Sequence, residues 1–179
     1  MREVLATAAP SDAPLALVVG VDDDVLGCLA MNGIPDRMGI ALARIDEHGA
    51  VVPTTKVAAH ALEDPALPLL LLRDASVYGQ WVAAMLRHQH GDRVRDLGLT
   101  PAVASRIPSL PCPQGPAVAI DPALMPQDGG AWLAAGHWAP VAALPPTRLI
   151  KAVSRGVAAA VAAAPKDEDR LSARSVGFL

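Results

Sequence analysis

Three aspartates in a row, Asp22-Asp23-Asp24, make the most obvious acidic group of the chain. Carboxylate oxygens are the ligands that hard divalent cations prefer. Neighbouring like charges also raise the proton affinity of one partner, so such a group could divide acid and base roles. Asp22 and Asp24 have D-x-D spacing, but no threonine follows in the D-x-D-x-T manner of aspartate-nucleophile phosphatases. A solvated turn is the expected role of the triplet.

Imidazoles could complete a metal site. His60, His88, His90 and His137 are candidates, with Cys28 or Cys112 as a thiolate. The candidate metal ligands are therefore Asp22, Asp24, His60, His88 and His90. On a helix His88 and His90 stand at i and i+2 and do not share a face. The chain has neither H-E-x-x-H nor C-x-x-C, so a site built from these residues depends on tertiary proximity alone.

Nucleophiles are present by residue type only. Ser76, Ser105, Ser109 and Ser154 lack the G-x-S-x-G setting of a nucleophile elbow. Cys112 lies between Pro111 and Pro113, with no base assigned to depress its pKa. Val18-Val19-Gly20-Val21 offers a single glycine, which excludes both G-x-G-x-x-G and the Walker lysine loop. No motif names a cofactor.

Contact surfaces are better supported. Trp132 and Trp138 lie in a proline-rich region, on either side of Gly136-His137. Aromatic side chains in such settings anchor interfaces. A charged stretch, Lys166 to Arg170, leads to a tail that carries the only phenylalanine, Phe178. Trp132, Trp138, Val176, Phe178 and Leu179 are the candidate partner-binding residues.

The chain has 179 residues, enough for one core. Apolar residues make up 52% and charged residues 18%, which leaves apolar surface for a partner to cover or reflects an alanine-rich composition. A net charge of −3 is no polyanion-binding signature. Arg93 to Ile107 resembles a helix-turn-helix, with Gly98 in the turn and Thr100 capping a second helix. The short second helix and the acidic balance count against DNA binding. Two cysteines without metal spacing fit a reducing cytosol. The N-terminal stretch is too brief for a signal peptide, and no apolar run reaches membrane-spanning length.

The elements that must position these residues follow from pattern. Leu15–Gly20 reads as a strand, and Asp22–Asp24 as the turn of a hairpin returning through Val25–Met31. The competing placement puts the aspartates at the C-terminal end of a parallel strand, where α/β proteins bind ligands. Asn32–Arg37 reads as a turn, and Met38–Ile45 with Ala50–Val52 as a second hairpin closed at Gly49. Thr54–Leu62 forms a short helix, and Leu69–Leu72 a buried strand. A helix follows, capped by Asp74 or Ser76 and ended by Gly91. Val77, Trp81, Ala84, Met85 and His88 form its apolar stripe. Thr100-Pro101 starts another helix, Ala117–Ile120 is a strand, and Leu149–Ala164 is the last helix.

The expected architecture is α+β. An antiparallel sheet over 15–52, extended by 69–72, carries the helices near 75–90 and 147–164 on one face. The alternative is a three-layer α/β fold with parallel strands at 15–20 and 69–72. A loose arm, 1–14, precedes a single domain, 15–165, that includes a proline-rich segment, 108–146; a tail, 166–179, follows. The expected function is that of a non-enzymatic accessory or assembly subunit, cytoplasmic, bound to a protein partner or to its own copies. Two other functions compete with it: a small metal-dependent hydrolase or transferase using Asp22–Asp24, and a weak DNA-binding protein using 93–107.

Overall fold

Apolar strands with no in–out alternation need cover on both faces, and this chain has two such strands side by side. Ala16–Gly20 (β1) and Leu69–Leu72 (β4) are buried at every position. They pair in parallel at the centre of the sheet, in register Leu17↔Leu69 to Gly20↔Leu72. The structure, a computed structural model, describes residues 13–107, 126 and 128–163.

Among the described residues five strands run in the order β3-β2-β1-β4-β5. Ile40–Ile45 (β2) is parallel to β1, and Val94–Asp96 (β5) is parallel to β4. Val51–Pro53 (β3) is antiparallel to β2 at one edge. The expected antiparallel sheet is thus corrected to a mixed, mostly parallel sheet with flanking helices. The continuous burial of β1 and β4 is the physical reason, since parallel strands are covered on both faces.

The helices divide between those faces. Asp23–Met31 (α1), Ile34–Met38 (α2) and Pro146–Ala163 (α7) cover Ala16, Val18, Ile40, Leu70 and Leu72. Lys56–Glu63 (α3) and Val77–His90 (α4) cover Leu17, Val19, Ala41, Ala43, Leu69 and Leu71. The two long helices, expected on one face, lie on opposite faces. Each buried leucine or valine of this double core stabilises the fold by about 1.5–3 kcal/mol.

The first hairpin is also corrected. Asp22 does not turn the chain back. It caps α1, its Oδ1 accepting the backbone N–H of Asp24 at 2.8 Å and of Val25 at 3.2 Å. Val25, Leu26 and Leu29 then fall on one buried helical face, while Gly27 has open space beside it. That glycine weakens the helix without crowding it. Asn32–Arg37, expected as a turn, contains most of α2, bounded by Gly33 and Gly39 in left-handed conformation.

The second hairpin forms as its pattern predicts, Asp46–Gly49 closing β2 onto β3. Thr55 caps α3, and Ser76 caps α4 by accepting the Gly79 N–H at 2.9 Å. Val94–Asp96 is a strand, and Pro101–Ala104 (α5) is a single turn capped by Thr100. The helix-turn-helix over 93–107 is therefore not formed. A strand occupies the place of its first helix, because Val94 and Leu97 serve the cores on the two faces of the sheet. Gly130–Ala134 (α6) leads to a loop that reaches the sheet before α7. Most of the arm, the strand expected at 117–120, Cys112 and the tail 166–179 lie outside the described residues.

Candidate functional site

In an open parallel sheet, ligands bind beyond the C-terminal ends of the strands, where the connections diverge to either side. Here that crest lies between β1, whose chain continues towards β2, and β4, whose chain continues towards β5. The register Gly20↔Leu72 puts Asp22 and Asp74 two residues past matched strand ends. Asp74 holds its proton more firmly than an ordinary carboxylate, chiefly because burial disfavours its charge. The Asp22 charge adds to that effect, while the Val141 N–H and Arg73 oppose it.

The crest is roofed by the chain itself. Ala75 and Ala139 exchange backbone hydrogen bonds of 2.9 and 3.0 Å. Asp74 Oδ1 accepts the Val141 N–H at 2.7 Å. A buried cluster of Ala75, Leu99, Ala104 and Ala139 seals this corner, with Trp132 packed against it.

Arg73 is almost fully buried, at 3% exposure. Its Nε and a terminal nitrogen both donate to Asp96 Oδ2, at 2.8 and 2.7 Å, and Nη1 donates to the Asp74 carbonyl at 3.2 Å. Asp96 Oδ1 accepts the Gly98 N–H at 3.0 Å, and Arg87 stands 3.6 Å from the shared oxygen. A Cβ on Gly98 would come within 2.6 Å of the Arg73 backbone, so only glycine fits there. With these partners in place the guanidinium serves the fold rather than an incoming anion.

The expected metal ligands do not converge. Asp22 and Asp24 are at the start of α1, His60 is exposed on α3 beside Glu63, and His88 and His90 are at the far end of α4 from the crest. Among the described residues no group of three His, Cys, Asp or Glu could hold a metal ion. His137 is on the crest loop, its ring stacked on Trp132 at 5.6 Å. Val176, Phe178 and Leu179 lie outside the described residues.

The stripe read along α4 faces the opposite way from expectation. Gly79, Val82, Ala83 and Leu86 are buried, while Tyr78 and Trp81 are 40% and 36% exposed. Small and branched side chains are the ones that fit against the sheet, so the larger aromatics turn outward. Tyr78 and Trp81 pack at 5.7 Å between ring centroids, and the Tyr78 hydroxyl donates to the Asp46 carbonyl at 2.8 Å. Trp81 and Met85 lie over Gly49, whose φ of 83° and close approach to both side chains require glycine. Trp138 is 40% exposed, and the Ala75↔Ala139 bridge sets it opposite Ser76, the cap of α4.

Two features went unremarked in the sequence. Asp74 was legible only as a helix cap. A signal did exist in the shared pattern of Gly20-Val21-Asp22 and Leu72-Arg73-Asp74, an apolar strand with an aspartate two places beyond it. Tyr78 carried no motif at all. Comparison with protein-family models, with curated proteins and with solved structures returns no match. Among the described residues no helix is long and apolar enough to cross a membrane.

Proposed function

We propose that this protein is a non-enzymatic assembly subunit that works through protein–protein contacts, and that a second copy is the partner at the outer face of α4. The observation that carries the reading is the exposed aromatic pair Tyr78–Trp81 on that face. Aromatic side chains held rigidly at a surface are the usual anchors of interfaces, since they bury large area at small entropic cost. Tyr78 is tied to the β2–β3 turn and Trp81 rests on Gly49, so both are ordered before any partner arrives. Trp138, also exposed, lies in register opposite Ser76, the cap of the same helix.

The roofed crest supports the same reading. A hydrolase would need its carboxylates free to meet substrate or metal, whereas Asp22 caps α1 and Asp74 holds the Val141 N–H. A DNA-binding role lacks the paired helices that would present 102–106 to a groove. Replacing Tyr78 and Trp81 with serine tests the proposal by solution mass. The wild type is expected to self-associate and the double variant to stay monomeric; a wild type that stays monomeric overturns the reading.

A further inference from the structure

Strand β2 has an open edge. Its upper half, Ala43–Ile45, pairs with β3, but β3 stops at Pro53, and no described strand lies against Ile40–Leu42 on that side. Hydrogen-bond parity shows which groups face the opening. The Asp46 N–H bonds the Ala50 carbonyl across the hairpin, so Arg44, Leu42 and Ile40 turn their backbone groups the same way. The Leu15 N–H bonds the Gly39 carbonyl, so Gly39, Ala41 and Ala43 turn towards β1 instead. The Thr54 hydroxyl donates to the Leu42 carbonyl at 2.6 Å. That leaves the Leu42 N–H and both backbone groups of Ile40 facing the opening.

The edge lies in a recess of about 370 Å³. Ala30, Pro35 and Asp36 form one wall, and Thr54, Thr55 and Val57 the other. Ile40 and Ala41 are only 6% and 5% exposed. Their side chains belong to the cores on the two faces of the sheet, so the backbone edge is what the recess offers an occupant. A single extended peptide lying between the two walls would add a strand at this edge.

We infer that the occupant is residues 171–179 of the same chain. Along an extended segment Leu171 and Ala173 share one face and Val176 and Phe178 the other, so a strand added at the β2 edge would present apolar side chains to both walls of the recess. Arg174 lies between the two pairs, and Asp36 is the charged residue lining the recess. The reach is sufficient. Ser154 of α7 touches Met38, just before β2, at 3.7 Å. Ala163 lies about 13 Å further along the helix at 1.5 Å per residue. Residues 164–170 span up to about 23 Å when extended, enough to return to the recess. This inference does not depend on the α4 surface.

Amide hydrogen exchange on the full chain tests it, comparing the wild type with a Val176→Asp/Phe178→Asp variant. The Ile40 and Leu42 amides are expected to exchange about tenfold or more faster in the variant, while Ala41 and Ala43, bonded to β1, stay unchanged. Equal exchange at Ile40 and Leu42 in the two proteins overturns the inference. Protection that survives a hundredfold dilution supports the chain's own segment as the strand. Protection lost on dilution assigns the strand to a second copy and overturns the intramolecular form.

Discussion

Asp74 and Val141 are 67 residues apart in sequence and joined by a 2.7 Å hydrogen bond from the Val141 N–H to the Asp74 carboxylate. This contact fixes the loop before α7 across the end of the sheet. It also turns the carboxylate at the crest into a structural acceptor, and the pH dependence of stability should reveal that role.

Burial raises the folded-state pKa of Asp74 above its ordinary value of 3.8. The folded protein therefore keeps a proton that the unfolded chain has already lost. The resulting stabilisation is complete below pH 3.8 and disappears as pH rises through the folded-state pKa. Asp74→Asn keeps an oxygen for the Val141 N–H and removes the buried charge. At pH 7 it should equal or exceed the wild type in denaturant unfolding, and its stability should vary less with pH. Asp74→Ala strands the Val141 N–H and should cost about 1–3 kcal/mol.

The Arg73–Asp96 pair should behave asymmetrically. Asp96→Ala leaves a guanidinium buried without its counter-charge, which costs about 3–5 kcal/mol. Adding Arg73→Met to that variant should recover part of the loss, since no unpaired charge remains. A double-mutant cycle by urea unfolding measures the coupling. Additive losses would mean that the pair is not the buried unit described above.

Gly49 links the β2–β3 turn to α4. Gly49→Ala forces a side chain into the left-handed region and against Trp81 and Met85, at a cost of about 1–3 kcal/mol. Because Trp81 must shift, its fluorescence should change as well. Loss of stability with an unchanged spectrum would separate the backbone effect from the packing described here.

Much of the fold was legible one element at a time. The Thr100 cap, the Asp46–Gly49 turn and the Leu69–Leu72 strand rest on local chemistry and are present, and of the two caps offered for α4, Asp74 or Ser76, the structure uses Ser76. Errors arose where tertiary pairing decides. Val25–Met31 carries both a short apolar run and a helical spacing, and Asp22 as a cap selects the helix. The direction of pairing between β1 and β4 is a long-range choice; its only local trace is the absence of alternation. On α4 the stripe of Val77, Trp81, Ala84, Met85 and His88 suggested the buried face, yet the sheet accepts Gly79, Val82, Ala83 and Leu86. The crest residues Asp74 and Arg73 could not be placed without the strand order, since their partners Val141 and Asp96 come from distant segments.

Self-association through the outer face of α4 is measurable by sedimentation equilibrium. The wild type at about 100 μM should have a mass that is a multiple of the 18.5 kDa chain. Tyr78→Ser/Trp81→Ser should return it to a single chain with its circular dichroism unchanged. A wild type that sediments as one chain at that concentration, or a double variant that associates as strongly as the wild type, would contradict the claim.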